Sequence, residues 1–95
     1  MFDFQDLADE QRYEQRFDDA DAMTGRVWAD YADSGTGRAI LHVEAEDALR
    51  GSGAAGRFMQ NLADHARERG TRLVPRCSYA VAWFKRHPDQ GDVLA

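Results

Sequence analysis

The first candidate site is a short glycine-rich segment that joins a predicted strand to a predicted helix. Its sequence, residues 50–55, is Arg50-Gly51-Ser52-Gly53-Ala54-Ala55. The two glycines and their small neighbours let the backbone approach a ligand closely. The first turn of the helix adds unpaired N–H groups at the positive end of the helix dipole. Such a segment is typical of a pyrophosphate site. It is neither a Walker loop nor a three-glycine dinucleotide fingerprint, and a purely structural turn stays open as the alternative.

Three side chains elsewhere could take part in nucleophilic or acid–base chemistry. Cys77, the only cysteine, precedes the last predicted helix, where the helix dipole favours a thiolate. Its alternative role is that of a small side chain buried in the core. His42 and Glu44 share one face of a predicted strand, about 6.5–7 Å apart. A neutral imidazole there could take a proton from an incoming ammonium, while Glu44 could hold a cationic group or orient His42. A polar pair across the sheet is the alternative.

Several neighbouring side chains are candidate ligand contacts. Arg50 and Arg57 flank the start of the long predicted helix, and Arg76 precedes Cys77. Each could pair with a phosphate, and each could equally be an exposed solubilising charge. The Tyr79 hydroxyl could donate a hydrogen bond to a ligand, or the side chain could pack against the sheet.

The charge is divided unevenly along the chain. Residues 1–49 hold 13 acidic and 4 basic residues, whereas residues 50–95 hold 4 acidic and 8 basic residues, within a net charge of -5. This division predicts an anionic ligand on the second half and a cation, or no ligand, on the first. Ordinary solvated surface is the alternative. The acidic total argues against non-specific binding to nucleic acid.

Alternating apolar residues and turn signals predict four strands, at residues 11–17, 23–32, 38–45 and 71–76. Turns are predicted at residues 18–21 and 33–37. In the third strand the alternation predicts two faces. One face carries Ala39, Leu41, Val43 and Ala45, and the other carries Ile40, His42 and Glu44.

Two helices are predicted after the third strand. Apolar residues at helical spacing predict a long helix that ends at Gly70. They are Ala55, Phe58, Met59, Leu62 and Ala66. Ser78 is a predicted N-cap for a second helix at residues 79–86, which Pro88 ends. The order β-β-β-α-β-α predicts an α+β fold in which two helices pack on one mostly antiparallel sheet.

Length and composition restrict the class of protein. With 95 residues, 43% of them hydrophobic, the chain can form a single domain, residues 1–95, in which residues 1–10 are interpreted as a loosely ordered segment. No stretch approaches the ~20 apolar residues that span a bilayer, and the acidic N-terminus is unlike a signal peptide. A single cysteine excludes an internal disulfide and a cysteine-rich zinc site. We therefore expect a cytoplasmic protein without a metal, either a monomer or a weak homodimer that pairs through a sheet edge.

The combined pattern resembles the GNAT acetyltransferase superfamily. Arg50-x-x-Gly53-x-Ala55 matches its Arg/Gln-x-x-Gly-x-Gly/Ala signature. Three further segments stand in the order and at the spacing of the short YjdJ-type branch. They are His42-Val43-Glu44, Pro75-Arg76-Cys77-Ser78-Tyr79 and Trp83-Phe84-Lys85-Arg86-His87-Pro88. The resemblance covers residues 11–90.

The resemblance implies a reduced GNAT fold that binds acetyl-CoA in a splay between the third and fourth predicted strands. The pyrophosphate is expected on the amides of residues 50–55, and the pantetheine arm beside Val43 and Ala45 as an added strand. Acetyl transfer to an unidentified amine is implied, either through Cys77 or beside it. A module that binds coenzyme A or a protein partner without turnover is the alternative. The chain also lacks the paired helices that full-length members insert after the first strand, which leaves the acceptor open.

Overall fold

The computed structural model describes residues 4–18 and 24–95 of the chain. Five strands form one sheet: β1 (Gln5–Leu7), β2 (Arg12–Asp18), β3 (Thr24–Ser34), β4 (Gly37–Ala45) and β5 (Leu73–Pro75). The two α-helices are α1 (Ala54–Arg69) and α2 (Ser78–Arg86). Short 3-10 turns occupy Ala8–Glu10, Asp47–Leu49 and Pro88–Val93. The predicted α+β fold is confirmed, with β1 as a strand that the sequence did not predict.

The strands lie in the sheet in the order β1-β2-β3-β4-β5. Every neighbouring pair is antiparallel except β4 and β5, which are parallel because α1 crosses between them. The predicted turn at residues 33–37 closes the hairpin of β3 and β4, whose last paired residues are Ser34 and Gly37. The turn predicted at residues 18–21 falls, beyond Asp18, outside the described residues.

Both helices pack on one face of the sheet. Strand β3 alternates buried residues with partly exposed ones, so Val27, Ala29 and Tyr31 point into the core. The apolar stripe of α1 joins them, with Phe58, Met59 and Leu62 fully buried, as its helical spacing predicted. From α2, Ala80, Trp83 and Phe84 enter the same cluster. This single core confirms the predicted packing of two helices on one sheet.

The opposite face of the sheet is not covered by either helix. Trp28, Ala32 and Val74 lie on it and are not part of the core cluster. Among the described residues, Leu41 is the one large hydrophobic residue that is exposed, at 48%. This face is called the bare face below.

A β-bulge in β4 overturns the predicted alternation of that strand. Asp30 pairs with His42 while the next residue of β3, Tyr31, pairs with Ile40, so Leu41 is an extra residue. The bulge moves Ile40 to the core face, where it is fully buried, whereas His42 stays on the bare face. Strict alternation had placed Ile40 and His42 together, and that prediction is wrong because one inserted residue exchanges the two faces.

Strand β1 depends on a cluster of polar side chains around Arg38. The Arg38 guanidinium donates to Asp6 of β1 at 2.9 Å, to Asp33 at 2.9 Å and to the Tyr13 hydroxyl at 3.0 Å. Tyr31 donates its hydroxyl to Asp6 and lies under the guanidinium, 4.2 Å from ring centroid to Cζ. Residues 4–10, interpreted as part of a loosely ordered segment, contain a short strand held by contacts distant in sequence and a 3-10 turn closed by a local bond from Gln11 to Ala8.

The start of α2 differs from the prediction by one residue. Cys77, not Ser78, is the N-cap, and its Sγ accepts the N–H of Ala80 at 3.4 Å. At the other end, His87 caps α2 and Pro88 begins a 3-10 turn, so the helix ends where predicted. Gly70 follows α1 in the left-handed conformation with φ 68°, as predicted for a residue just past a helix.

Candidate functional site

The 50–55 loop turns sharply into α1 through two glycines with positive φ. Gly51 has φ 78° and Gly53, the N-cap of α1, has φ 84°, a region that favours glycine. Between them, the Ser52 hydroxyl donates to the Leu49 carbonyl at 2.6 Å and accepts the Ala54 N–H at 3.1 Å. The loop is therefore a defined turn held by its own serine rather than a flexible linker.

Several backbone N–H groups around the start of α1 have no acceptor within the described residues. The N–H of Ser52 bonds the Leu49 carbonyl and that of Arg57 bonds the Gly53 carbonyl. No acceptor within the described residues takes the N–H groups of Gly51, Gly53, Ala55 or Gly56. Four free donors around the N-terminus of a 16-residue helix match the needs of a phosphate group.

Strands β4 and β5 separate after a short parallel pairing. Their pairing ends at Ile40 and Pro75. The Ile40 carbonyl then accepts the N–H groups of both Arg76 and Cys77, at 2.9 and 3.3 Å. Strand β4 runs on to Ala45 while the other chain turns into α2, which opens a gap along the outer edge of β4.

The bulge decides which backbone groups face this gap. Before Leu41, Arg38 donates its N–H toward β5, to the Arg72 carbonyl, whereas after it Glu46 donates toward β3, to the Arg26 carbonyl. Even-numbered residues therefore change sides at the bulge, because successive residues of a strand direct their backbone groups to opposite neighbours. By this parity, Val43 and Ala45 direct their backbone N–H and C=O groups into the gap, while their side chains pack against the core.

Cys77 and Tyr79 lie where the gap begins. Cys77 is half-buried, and its N–H bonds the carbonyl of Ile40, the last residue of β4 that pairs with β5. Burial raises the pKa of the Tyr79 hydroxyl, which the Arg86 guanidinium opposes and the neighbouring Cys77 reinforces. Tyr79 is therefore a protonated hydroxyl at neutral pH, able to donate a hydrogen bond.

Comparison with known families decides the identity of this arrangement. A model of the GCN5-related N-acetyltransferase family matches residues 12–93. The chain belongs to this family. The match covers β2 to the end of the last 3-10 turn, and so includes both the 50–55 loop and the gap.

Solved structures support the same fold. The chain is similar to a GCN5-like protein from Staphylococcus aureus, proposed to be an N-acetyltransferase, whose structure was determined by NMR in solution. The TM-score is 0.67 at 20% sequence identity, with 100% of this chain and 87% of the other covered. No match among curated proteins was found.

In this GCN5-related domain, His42 and Glu44 lie together on the bare face. His42 Nε2 is 3.3 Å from Glu44 Oε2, and the two side chains are 55% and 47% exposed. Their cross-strand neighbours on β3 are Asp30 and Trp28. Among the described residues, Glu44 pairs with no arginine or lysine, so its one polar contact is the imidazole. The pair is open to solvent next to the gap.

The three arginines named from the sequence differ in their surroundings. Arg57 is exposed, its guanidinium lies 5.4 Å from the Phe17 ring, and a methyl group on Gly53 would be 3.9 Å from its Nη1. The Arg57 guanidinium therefore lies next to Gly53 of the 50–55 loop. Arg50 pairs with Asp47 at 3.1 Å and is 73% exposed. Arg76 is exposed at the start of α2, on the other side of the gap.

The gap and the 50–55 loop are together called the groove below. A cavity of about 330 Å³ lies at the opposite end of α1, between Gly70 and Asp92. There the Arg67 guanidinium donates two hydrogen bonds to the Asp92 carboxylate. We assign the site to the groove because the free amides are there. In the described part of the chain no cluster of His, Cys, Asp or Glu could hold a metal ion. No described helix has the length and apolar character to cross a membrane.

Neither the free amide of Gly56 nor the hydrogen bonds by which Ser52 holds the loop were predicted from the residue pattern. The spacing of Ser52, three residues after Leu49, could have predicted the hydrogen bond from its hydroxyl to the Leu49 carbonyl. The bulge that selects Val43 and Ala45 left no such signal, because it depends on the pairing of β4 with two other strands.

Proposed function

We propose that this domain binds acetyl-CoA in the groove and transfers the acetyl group to an amine. The observation that carries this proposal is the loop with two positive-φ glycines and free amides, which follows the unpaired edge of β4 in the chain after one short turn. A diphosphate needs several converging donors, and an amide-containing chain needs an open strand edge. The loop meets the first requirement, and the edge of β4, which precedes it in the chain, meets the second.

The residues present fit the parts of acetyl-CoA in a simple order. The amides of Gly51, Gly53 and Ala55 would hold the pyrophosphate, with Arg57 above them and the more distant Arg50 and Arg76 adding positive charge. The backbone of Val43 and Ala45 would pair with the pantetheine amides as an added strand. The thioester would then reach the beginning of the gap, beside Cys77 and Tyr79.

Two routes of acetyl transfer are compatible with these positions. In the direct route, an amine nitrogen attacks the thioester carbonyl, the carbon–sulfur bond breaks, and coenzyme A leaves as a thiolate. His42, oriented by Glu44, would take the proton of the amine, and Tyr79 could donate a hydrogen bond to the departing sulfur. In the covalent route, the Cys77 thiolate attacks first, releases coenzyme A, and passes the acetyl group to the amine in a second step.

A non-catalytic module that binds coenzyme A or a protein partner is the second candidate. The open position of His42 and Glu44 favours it, because catalytic groups work best when water is excluded. The domain is also proposed to be of the short YjdJ-type branch, cytoplasmic, and a monomer or weak homodimer.

Intact mass spectrometry after incubation with acetyl-CoA distinguishes these candidates. Turnover by the covalent route gives a protein heavier by one acetyl group, and this species should be absent in Cys77→Ser. Turnover by the direct route gives free coenzyme A only when an amine is supplied. A thermal shift with coenzyme A but not with ATP or NAD, together with no thioester loss, supports the binding module. No shift with any coenzyme A species would refute the proposal.

A further inference from the structure

Glu46 occupies the point where β4 ends and the chain departs toward the 50–55 loop. Its N–H donates to the Arg26 carbonyl at 2.9 Å, as in a normal rung of the β3–β4 ladder. In return, Arg26 donates its N–H at 2.6 Å to Oε1 of the Glu46 side chain rather than to the Glu46 carbonyl. A paired rung of an antiparallel ladder would use the carbonyl. The carboxylate has taken its place.

Because the Glu46 side chain accepts the Arg26 N–H, the Glu46 backbone carbonyl is available to the 3-10 turn that follows. That carbonyl accepts the Leu49 N–H at 2.9 Å, which closes the 3-10 turn Asp47–Leu49. Glu46 therefore completes the last rung with its side chain and begins the turn with its backbone. The Arg26 N–H, followed by the Arg26 guanidinium, lowers the pKa of the Glu46 carboxyl below its ordinary value, so the accepting form is present at neutral pH.

Leu49, the last residue of the 3-10 turn, connects Glu46 to the 50–55 loop. Leu49 is buried, and its side chain packs so closely on Gly25 of β3 that a methyl group there would lie 3.2 Å from Cγ. The Leu49 carbonyl then accepts both the N–H and the hydroxyl of Ser52. The Ser52 hydroxyl accepts the Ala54 N–H. A continuous series of hydrogen bonds thus runs from the Arg26 backbone to the first residue of α1.

We propose that Glu46 is a positioning residue for the phosphate-binding amides, acting through Leu49 and Ser52. The proposal rests on the proposed function, since it concerns the loop that would hold the pyrophosphate. Glu46 does not touch the ligand. Its carboxylate fixes the turn from which Gly51 and Gly53 project.

A charge effect and a positioning effect of Glu46 change the affinity for an anionic ligand in opposite directions. If the carboxylate acted only as a nearby negative charge, its removal would strengthen the binding of an anionic ligand. Positioning requires the opposite result for Glu46→Ala, because the turn loses its acceptor. Glu46→Gln keeps a side-chain oxygen for the Arg26 N–H and should restore binding. Glu68→Ala, which removes an exposed carboxylate from α1, is the matched control.

Calorimetric titration with coenzyme A measures the effect. We expect the dissociation constant to rise about tenfold in Glu46→Ala and to stay within twofold of wild type in Glu46→Gln and Glu68→Ala. Tighter binding by Glu46→Ala, or equal weakening by both Glu46 variants, would overturn the positioning role.

Amide hydrogen exchange of the ligand-free protein separates this proposal from the proposed function. Exchange at Arg26 and Leu49 should be about tenfold faster in Glu46→Ala and should recover in Glu46→Gln. Unchanged exchange at both amides would overturn the proposal even if coenzyme A binds. If the wild-type protein fails to bind coenzyme A, the proposed function and the ligand part of this proposal fall together, whereas the exchange result still decides whether Glu46 fixes the turn.

Discussion

Replacing Gly53 by valine places a β-branched side chain at a φ of 84°, inside the turn that precedes α1. An L-residue in the left-handed region costs about 1–2 kcal/mol. The new side chain also enters the space beside the Arg57 guanidinium, since a methyl group there is already 3.9 Å from Nη1. The amides of the loop should therefore move, and we expect the affinity for coenzyme A to fall by tenfold or more, about 1.4 kcal/mol.

Gly70→Val is the matched control for this change. Gly70 also has a left-handed φ, 68°, and a methyl group on it would meet no atom within 4 Å. It follows the last residue of α1, about 25 Å along the helix from Gly53. Both variants should lose about 1–2 kcal/mol of folding free energy, which corresponds to about 4–16 °C in the melting temperature of a domain this size.

Calorimetric titration and thermal melting of the two variants together give the result. We expect both variants to lose similar stability, and Gly53→Val alone to lose affinity for coenzyme A. If both variants melt lower and both bind coenzyme A as tightly as the wild type, the 50–55 loop is not the phosphate site. If both lose affinity equally, general destabilisation rather than loop geometry is responsible.

Three further outcomes are expected. Coenzyme A affinity should fall as salt rises, and Arg57→Ala should flatten that dependence, whereas salt-independent titrations would make the basic half of the chain ordinary surface. Cys77 should react with iodoacetamide faster than an unstructured cysteine at pH 7, and coenzyme A should protect it; a thiol inert in the folded state would be a core residue. The ring of His65 lies 5.1 Å from that of Phe4 and 5.6 Å from that of Tyr13, and burial, with Arg69 second, lowers its pKa from 6.5. The unfolded chain therefore binds more protons just below pH 6.5, so the free energy of unfolding should rise with pH there, and His65→Leu should flatten the rise in a urea titration.

The sequence predicted the elements whose signal is periodic. Strand β3 and helix α1 follow from alternating and helical patterns that extend over 11 and 16 residues. The fold class followed from these elements, and the glycine loop was located by its position between a strand and a helix. The predicted faces of β4 were wrong, because they assumed that no residue is inserted into the ladder.

Strand β1 shows why local patterns were insufficient at the N-terminus. Its three residues, Gln5–Leu7, carry no alternation of their own. Asp6 is held by Arg38 and Tyr31, which stand 32 and 25 residues further along the chain. A strand that forms because of contacts this distant cannot be recognised from its own composition. The predicted N-cap at Ser78 failed more narrowly, by one residue, because the cysteine sulfur accepts the N–H that a serine oxygen usually takes.

One backbone oxygen connects the open edge of β4 with Cys77. The Ile40 carbonyl accepts two N–H groups, from Arg76 and Cys77, where a parallel ladder would supply one. The second bond turns the chain away from β4, so β5 ends after three residues and the gap opens. The same bond fixes Cys77 at the N-terminus of α2, with its sulfur toward the Ala80 N–H. Directly after Ile40, the bulge at Leu41 turns the backbone of Val43 toward the space that β5 has left. The open strand edge and the thiol beside it therefore arise from two consecutive departures from regular pairing, at Ile40 and at Leu41.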